Sequence, residues 1–128
     1  MITAPLHNYR ITPRKMRTVA DMIRGKKVAD AKTILDTIAK KAGHPLNDLL
    51  DSALANASNN FKIEKDGLFV KEIRVDQGYI LKRSRPMARG SAFPIKKRTS
   101  HVSIVLAPLL APAKKIKAKA AKAPAAKK

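Results

Sequence analysis

The spacing of apolar residues in the first half of the chain predicts three helices. The first begins at Thr12 and Pro13, which suit the N-cap and the first helical position, and Gly25 suits its end. We expect the second from Val28 to Lys41, with Lys40 and Lys41 in its last turn, and the third from Pro45 to Asn59-Asn60. Each carries one apolar stripe, which for the first helix consists of Met16, Val19, Ala20 and Ile23.

Three other stretches have the pattern of β-strands. Ile2 to Ile11 is predicted to be extended, and Pro5 within it favours a position at the edge of a sheet. Leu68 to Val75 is rich in Leu, Phe, Val and Ile, and apolar residues alternate between Val102 and Leu106.

The segment between the last two strands has little core-forming material. Its middle, Arg85-Pro86-Met87-Ala88-Arg89-Gly90, is prone to turn, so we interpret Val75 to Leu106 as one hairpin that reverses near Met87 to Gly90. Arms of about 14 residues would reach ~45 Å at ~3.3 Å per residue. The alternative is a disordered loop, which is uncommon at this length inside a compact domain unless it has a function.

These elements predict an α+β fold. A small antiparallel three-stranded sheet packs with three helices and carries one long basic β-hairpin extension. Residues 1–107 are expected to form a single domain, with the hairpin at about 75–106. Residues 108–128 form an Ala/Lys/Pro-rich basic tail that is expected to be disordered, because it cannot bury enough apolar surface. The tail could serve as a loose electrostatic tether or be a variable extension.

The charge is distributed unevenly along the 128 residues. The formal net charge is +19, and residues 77–128 hold 14 basic side chains and no acidic one, against 14 basic and 9 acidic in residues 1–76. Such an asymmetry predicts a folded body that presents a nucleic-acid-binding element. A merely solubilising surface would mix both signs.

The sequence argues against several other classes of protein. It has no cysteine, and no apolar run approaches the ~18 residues of a membrane helix. The N-terminus lacks the pattern of a signal peptide, so we expect a cytoplasmic protein without a membrane partner. No spacing of His, Asp or Glu suits a metal, and no Gly-rich loop suits a phosphate cofactor. Ser100 and His101 would lie on opposite faces of a strand, which is the wrong geometry for a nucleophile and its base. From all of these observations together, we expect no catalytic residues, no cofactor and no small-molecule substrate.

Nucleic-acid binding has better support. Guanidinium groups such as those of Arg83, Arg85 and Arg89 are always charged and can bind phosphate in a bidentate manner. Tyr79 and Phe93 could stack on bases or pack across the hairpin. We therefore expect phosphate contacts and shape to dominate over the reading of bases.

Four blocks of the chain, in order, resemble the L-twenty-two family of large-subunit ribosomal proteins, of bacterial type. They are Thr12-Pro13-Arg14-Lys15-Met16-Arg17 leading to Val19-Ala20-Asp21-Met22-Ile23-Arg24-Gly25; Leu49-Leu50 with Ser52-Ala53, Ala55-Asn56-Ala57 and Asn59-Asn60; Leu81-Lys82-Arg83 with Arg85-Pro86 and Ala88-Arg89-Gly90; and Lys97-Arg98-Thr99-Ser100-His101. The resemblance covers about residues 9–106.

The resemblance implies a structural constituent of the large ribosomal subunit. Such a protein binds large-subunit rRNA, bridges several rRNA domains during assembly and contacts neighbouring ribosomal proteins. The residues that the resemblance assigns to rRNA are Arg14, Lys15, Arg17, Lys82, Arg83, Arg85, Arg89, Lys96, Lys97, Arg98 and His101. It also implies a hairpin tip that lines the peptide exit tunnel and meets the nascent peptide transiently; the tip residues are Arg85, Pro86, Met87, Ala88, Arg89, Gly90 and Ser91.

This chain departs from the family pattern at the tip. Met87 and Ser91 stand where the family often has arginine, so the tip carries fewer cations. The alternative to the ribosomal prediction is a nucleoid-associated or histone-like DNA-binding protein, which the composition of the tail would suit.

Overall fold

The computed structural model describes residues 2–63 and 67–108. In chain order these form strand β1 (Ile2–Tyr9), helices α1 (Pro13–Ile23), α2 (Val28–Thr37) and α3 (Gly43–Phe61), and the long strands β2 (Leu68–Pro86) and β3 (Ala92–Pro108). A single 3-10 turn, Ala88–Gly90, joins β2 to β3. The predicted C-terminal tail, apart from Pro108, lies outside the described residues.

The strands form one antiparallel sheet in the order β1-β3-β2. Strand β1 lies at an edge, as Pro5 predicts, and pairs with the far end of β3 from Ile2 opposite Leu106 to Tyr9 opposite Ser100. Strand β2 pairs with β3 from Leu68 opposite Pro108 to Pro86 opposite Ala92. The α+β fold with its long hairpin is therefore confirmed.

The core lies between one face of the sheet and the three helices. Strand residues that alternate along the sheet, such as Val70 and Ile104, are buried against the apolar stripes of the helices, such as Met16 and Leu50. Helix α1 packs beside β2, α3 packs beside β1, and α2 lies against both of the other helices. Each predicted stripe faces this core, which is why the helical spacing was informative.

The predicted end of the second helix and the predicted start of the third are wrong. Helix α2 stops at Thr37, where Ile38 adopts an extended conformation (φ −76°, ψ 117°), and α3 begins at Gly43. A Cβ on Gly43 would lie 3.1 Å from the carbonyl oxygen of Leu35, so glycine permits the close approach of the two helices. Because α2 ends at Thr37 and α3 begins at Gly43, Lys40 and Lys41 lie in the loop between the helices.

A β-bulge separates the part of the sheet that the helices cover from the rest of the hairpin. We call the bulge the joint, and the helices with the part of the sheet they cover the body. Gln77 pairs with Ser100 and Ile80 with Arg98, so Gly78 and Tyr79 together oppose the single residue Thr99 in a β-bulge. Beyond the bulge, residues 80–98 form what we call the distal hairpin. The ten residues of β2 from Gln77 to Pro86 span about 30 Å at about 3.3 Å per residue.

Candidate nucleic-acid interface

The distal hairpin displays cations on both of its faces. Directly opposed residues of an antiparallel pair point to the same side, and Lys82 lies opposite Lys96, whereas Arg83 lies opposite Ile95. One face therefore carries Lys82, Lys96 and Arg98, and the other carries Arg83, Arg85 and Lys97. Like charges that oppose one another directly are destabilising, so the ribbon favours an anionic environment.

Among the described residues, the cations of the distal hairpin take no part in intramolecular ion pairs. In the described parts of the chain, the ion pairs are Arg24–Asp21, Lys32–Asp51 and Arg74–Glu72, all within the body. The hydrogen bonds from Lys32 to Asp51 raise the pKa of Lys32, and the hydrogen bond from Arg74 lowers the pKa of Glu72. The cations of the distal hairpin are exposed, apart from the half-buried Arg98, and can meet an external anion.

The tip is a tight turn held by hydrogen bonds among its own residues. The Met87 N–H donates to the Ser91 carbonyl at 2.8 Å, and the Ser91 hydroxyl donates to the Ala88 carbonyl at 2.9 Å. Arg89 and Gly90 both have positive φ, 57° and 73°. The tip residues from Arg85 to Ser91 are all exposed, so Arg89 and Met87 project into solvent at the end of the ribbon.

The predicted residues of the first helix divide into two kinds. Arg14 and Lys15 are exposed. Arg17 instead donates from Nε and Nη2 to the Val75 carbonyl, at 3.1 and 2.9 Å, and so ties α1 to β2 just before the joint. Arg24 makes a similar bond to the Ile73 carbonyl at 3.2 Å. Arg17 therefore has a structural contact that the sequence did not indicate.

His101 lies at the joint rather than on the distal hairpin. It is half-buried, its Nδ1 accepts the Asn8 N–H at 3.3 Å, and its ring meets that of His7 edge-on at 5.5 Å between centroids. The hydroxyl of the neighbouring Thr99, fully buried, donates to the Tyr79 carbonyl at 2.8 Å. These contacts fix the place where the hairpin leaves the body.

The structure also brings together cations that the sequence did not connect. An open groove of about 890 Å³ lies between the start of α1, the α2–α3 loop and the base of the distal hairpin. Lys15, Lys96, Lys97 and Arg98 line it, as predicted rRNA residues, but so do Arg10, Lys40 and Lys41. Sequence reasoning missed these three because it assigned the two lysines to the end of a longer α2 and gave Arg10 no role.

The aromatic side chains are available to a partner. Tyr79 is 54% exposed and Phe93 is 61% exposed, so neither is buried by packing across the hairpin.

Within residues 2–63 and 67–108, no group of three or more His, Asp or Glu could hold a metal ion. No helix in the same residues is long and apolar enough to cross a membrane.

A small α+β body that carries a long, exposed and basic hairpin is typical of a protein that binds nucleic acid. The sequence profile of the family described as ribosomal protein L22p/L17e matches residues 4–107, and the chain belongs to this family. Two relatives from strains Y51 and DSM 10664 / DCB-2 of Desulfitobacterium hafniense are each named large ribosomal subunit protein uL22. Each is 52% identical to this chain over 97 residues, which cover 76% of this chain and 85% of the relative.

Membership of this family confirms the predicted class. The chain is a structural constituent of the large ribosomal subunit and lies with it in the cytoplasm. Its partners are therefore rRNA and other ribosomal proteins, and the family is structural rather than catalytic. The match favours the ribosomal prediction over the DNA-binding alternative.

Proposed function

We propose that residues 1–107 act as one rRNA-binding domain whose distal hairpin inserts between rRNA segments and bridges several rRNA domains during assembly of the large subunit. The rRNA contacts are Arg14 and Lys15 on α1 together with the seven cations of the distal hairpin, Lys82, Arg83, Arg85, Arg89, Lys96, Lys97 and Arg98. Arg17 and His101 support them from the root of the hairpin. Residues 108–128 are dispensable for this binding.

The proposal rests on the presence of positive charge on both faces of the distal hairpin. A ribbon with three cations on each face can contact phosphates on both sides at once, whereas a flat basic patch contacts one surface. Each contact releases counterions from the RNA, which supplies affinity without any reading of sequence. A two-sided ribbon is therefore suited to bridging separate RNA segments.

The tip has a separate part in the proposal. We infer that Arg85 to Ser91 line the peptide exit tunnel and meet the nascent peptide transiently. Support comes from the exposure of the whole turn and from Met87, an apolar and adaptable side chain that is 55% exposed at the end of the ribbon. An exposed methionine suits passing contacts with peptides of varied sequence better than a fixed charge would.

Salt-dependent binding tests the main proposal. The variant R83Q/R85Q/K97Q removes the three cations of one face, and K26Q/K27Q/K71Q removes three exposed lysines of the body as a matched control. Binding of the full chain to large-subunit rRNA is measured against salt concentration. We expect the hairpin variant to flatten the slope of log K against log salt by about 2–3, since each phosphate contact contributes roughly 0.7–0.9.

The control variant is expected to keep nearly the slope of the unmodified chain. Equal slopes for the two variants would contradict the proposal, because binding would then depend on total charge rather than on the hairpin. Far-ultraviolet circular dichroism of each variant confirms that the body remains folded.

A further inference from the structure

The groove at the base of the hairpin is built from three separated stretches of the chain. Its walls come from the segment between β1 and the second turn of α1, from the α2–α3 loop, and from one arm of the distal hairpin. The lining residues are Arg10, Ile11, Thr12, Lys15, Thr18, Lys40, Lys41, Ala42, Lys96, Lys97 and Arg98. Because no two of these stretches are adjacent in sequence, the fold alone creates the groove.

The groove concentrates positive charge. Seven of its eleven lining residues are cations, and no acidic residue lies among them. None of the seven takes part in the ion pairs of the described residues, which all lie elsewhere on the body. Charges of one sign on facing walls repel one another, so this arrangement is stabilised when an anion enters and neutralises them.

The start of α1 adds a second attraction for anions at the same place. Thr12 occupies the N-cap, but its hydroxyl makes no capping hydrogen bond, and the first turn contains no acidic residue. The partial positive charge of the helix N-terminus is therefore unopposed by the helix's own side chains. It faces the same groove as the lysines, since Thr12 and Lys15 both line it.

We propose that this groove binds a sharply bent stretch of RNA backbone and holds several phosphates at once. The inference rests on the proposed function and goes beyond it, since it identifies a second type of contact. A straight strand would place its phosphates along a single wall, whereas here the cations come from three walls. At about 890 Å³, the groove lies near the upper end of ligand sites, about 300–1,000 Å³, and exceeds the needs of a single phosphate.

Binding in the groove would also fasten the hairpin to the body. Lys40 and Lys41 belong to the body, and Lys96 and Arg98, which share one face, belong to the distal hairpin. A backbone bend that contacts both pairs bridges the two parts from outside, on top of the internal bond from Arg17 to the Val75 carbonyl. The RNA would thereby fix the direction in which the hairpin leaves the body.

Two lysine pairs give a matched test. The variant K40Q/K41Q removes the loop cations of the groove, and K26Q/K27Q removes an exposed pair from the α1–α2 connection, which does not line it. With the full chain and large-subunit rRNA, we expect K40Q/K41Q to flatten the salt slope by about 1–2 and to weaken binding about tenfold. The control is expected to bind as the unmodified chain does.

Directed cleavage shows whether one RNA segment meets both walls. The chain has no cysteine, so K41C and K96C each give a unique attachment point for an iron chelate that generates hydroxyl radicals. We expect both positions to cut the same short rRNA segment, and K27C to cut elsewhere or not at all. Cuts from K41C and K96C in unrelated segments would overturn the proposal of a single bent backbone.

The outcomes separate the two proposals. If K40Q/K41Q behaves as K26Q/K27Q does while R83Q/R85Q, which alters no residue of the groove, loses affinity, the groove is not an RNA site and the hairpin proposal stands. If the unmodified chain fails to bind large-subunit rRNA, the hairpin proposal fails. If inorganic tripolyphosphate competes with rRNA for the groove as strongly as an equal concentration of RNA phosphates does, the groove is a general anion site and the inference is overturned.

Discussion

Replacing Gly78 with alanine tests the joint between the body and the distal hairpin. A Cβ at this position would overlap the Thr99 hydroxyl and lie 2.9 Å from Nε2 of His101. Thr99 is fully buried and donates its hydroxyl to the Tyr79 carbonyl at 2.8 Å, so it cannot rotate away without losing that bond. Gly78 is therefore required by a close approach and not by a positive φ.

The magnitude follows from two terms. Inserting a methyl group into a packed site destabilises a protein by about 1–3 kcal/mol. Loss of the buried hydrogen bond from Thr99 adds about 0.5–1.5 kcal/mol. We expect Gly78→Ala to lower the free energy of unfolding by about 2–4 kcal/mol. At about 4 °C per kcal/mol for a domain of this size, Tm falls by roughly 8–16 °C.

Urea unfolding followed by circular dichroism measures the loss, and Gly67→Ala is the control. Nothing would lie within 4 Å of a Cβ at Gly67, so that variant should stay within about 0.5 kcal/mol of the unmodified chain. Combining Gly78→Ala with Thr99→Ala should cost less than the sum of the single variants, because the shorter side chain removes the main overlap. Equal stability of the two glycine variants would refute the reasoning.

Three further outcomes are expected. Lys96→Glu replaces a like-charge pair with Lys82 by an opposite-charge pair, so hydrogen exchange in the distal hairpin of the free protein should slow, while affinity for rRNA falls. Arg17→Gln should lower the urea midpoint because it removes the bond to β2, whereas Lys15→Gln should lower only rRNA affinity. Deletion of residues 109–128, beyond the family match, should leave subunit assembly nearly intact; accumulation of precursor particles would contradict this.

The sequence was informative where a local pattern decides the outcome. Met16 and its apolar partners have helical spacing, and they do face the core. A basic segment whose single acidic residue, Asp76, stands at its start, flanked by two apolar strands and broken at Pro86 and Gly90, permits few arrangements other than a hairpin. The reversal was therefore predictable, and its turn at Ala88–Gly90 confirms it.

The sequence was uninformative where contacts between distant segments decide. The end of α2 at Thr37 is not marked by its helical periodicity, because Ile38 continues the apolar spacing yet adopts an extended conformation. The groove depends on that same early ending, since it places Lys40 and Lys41 in a loop beside the hairpin. Likewise, the hydrogen bond from Arg17 to the Val75 carbonyl joins residues 58 positions apart. The sequence around an exposed arginine in a helix does not indicate such a contact.

The central position of β3 has a consequence for the order of events during synthesis. During synthesis, Leu106 is made about a hundred residues after its strand partner Ile2. Until β3 is complete, neither β1 nor β2 has its strand neighbour, and the sheet face that the helices cover does not exist. Native structure therefore forms after translation of β3, through contacts of high sequence separation that fold slowly. A nascent chain that ends before β3 would therefore lack both the sheet of the body and one arm of the hairpin.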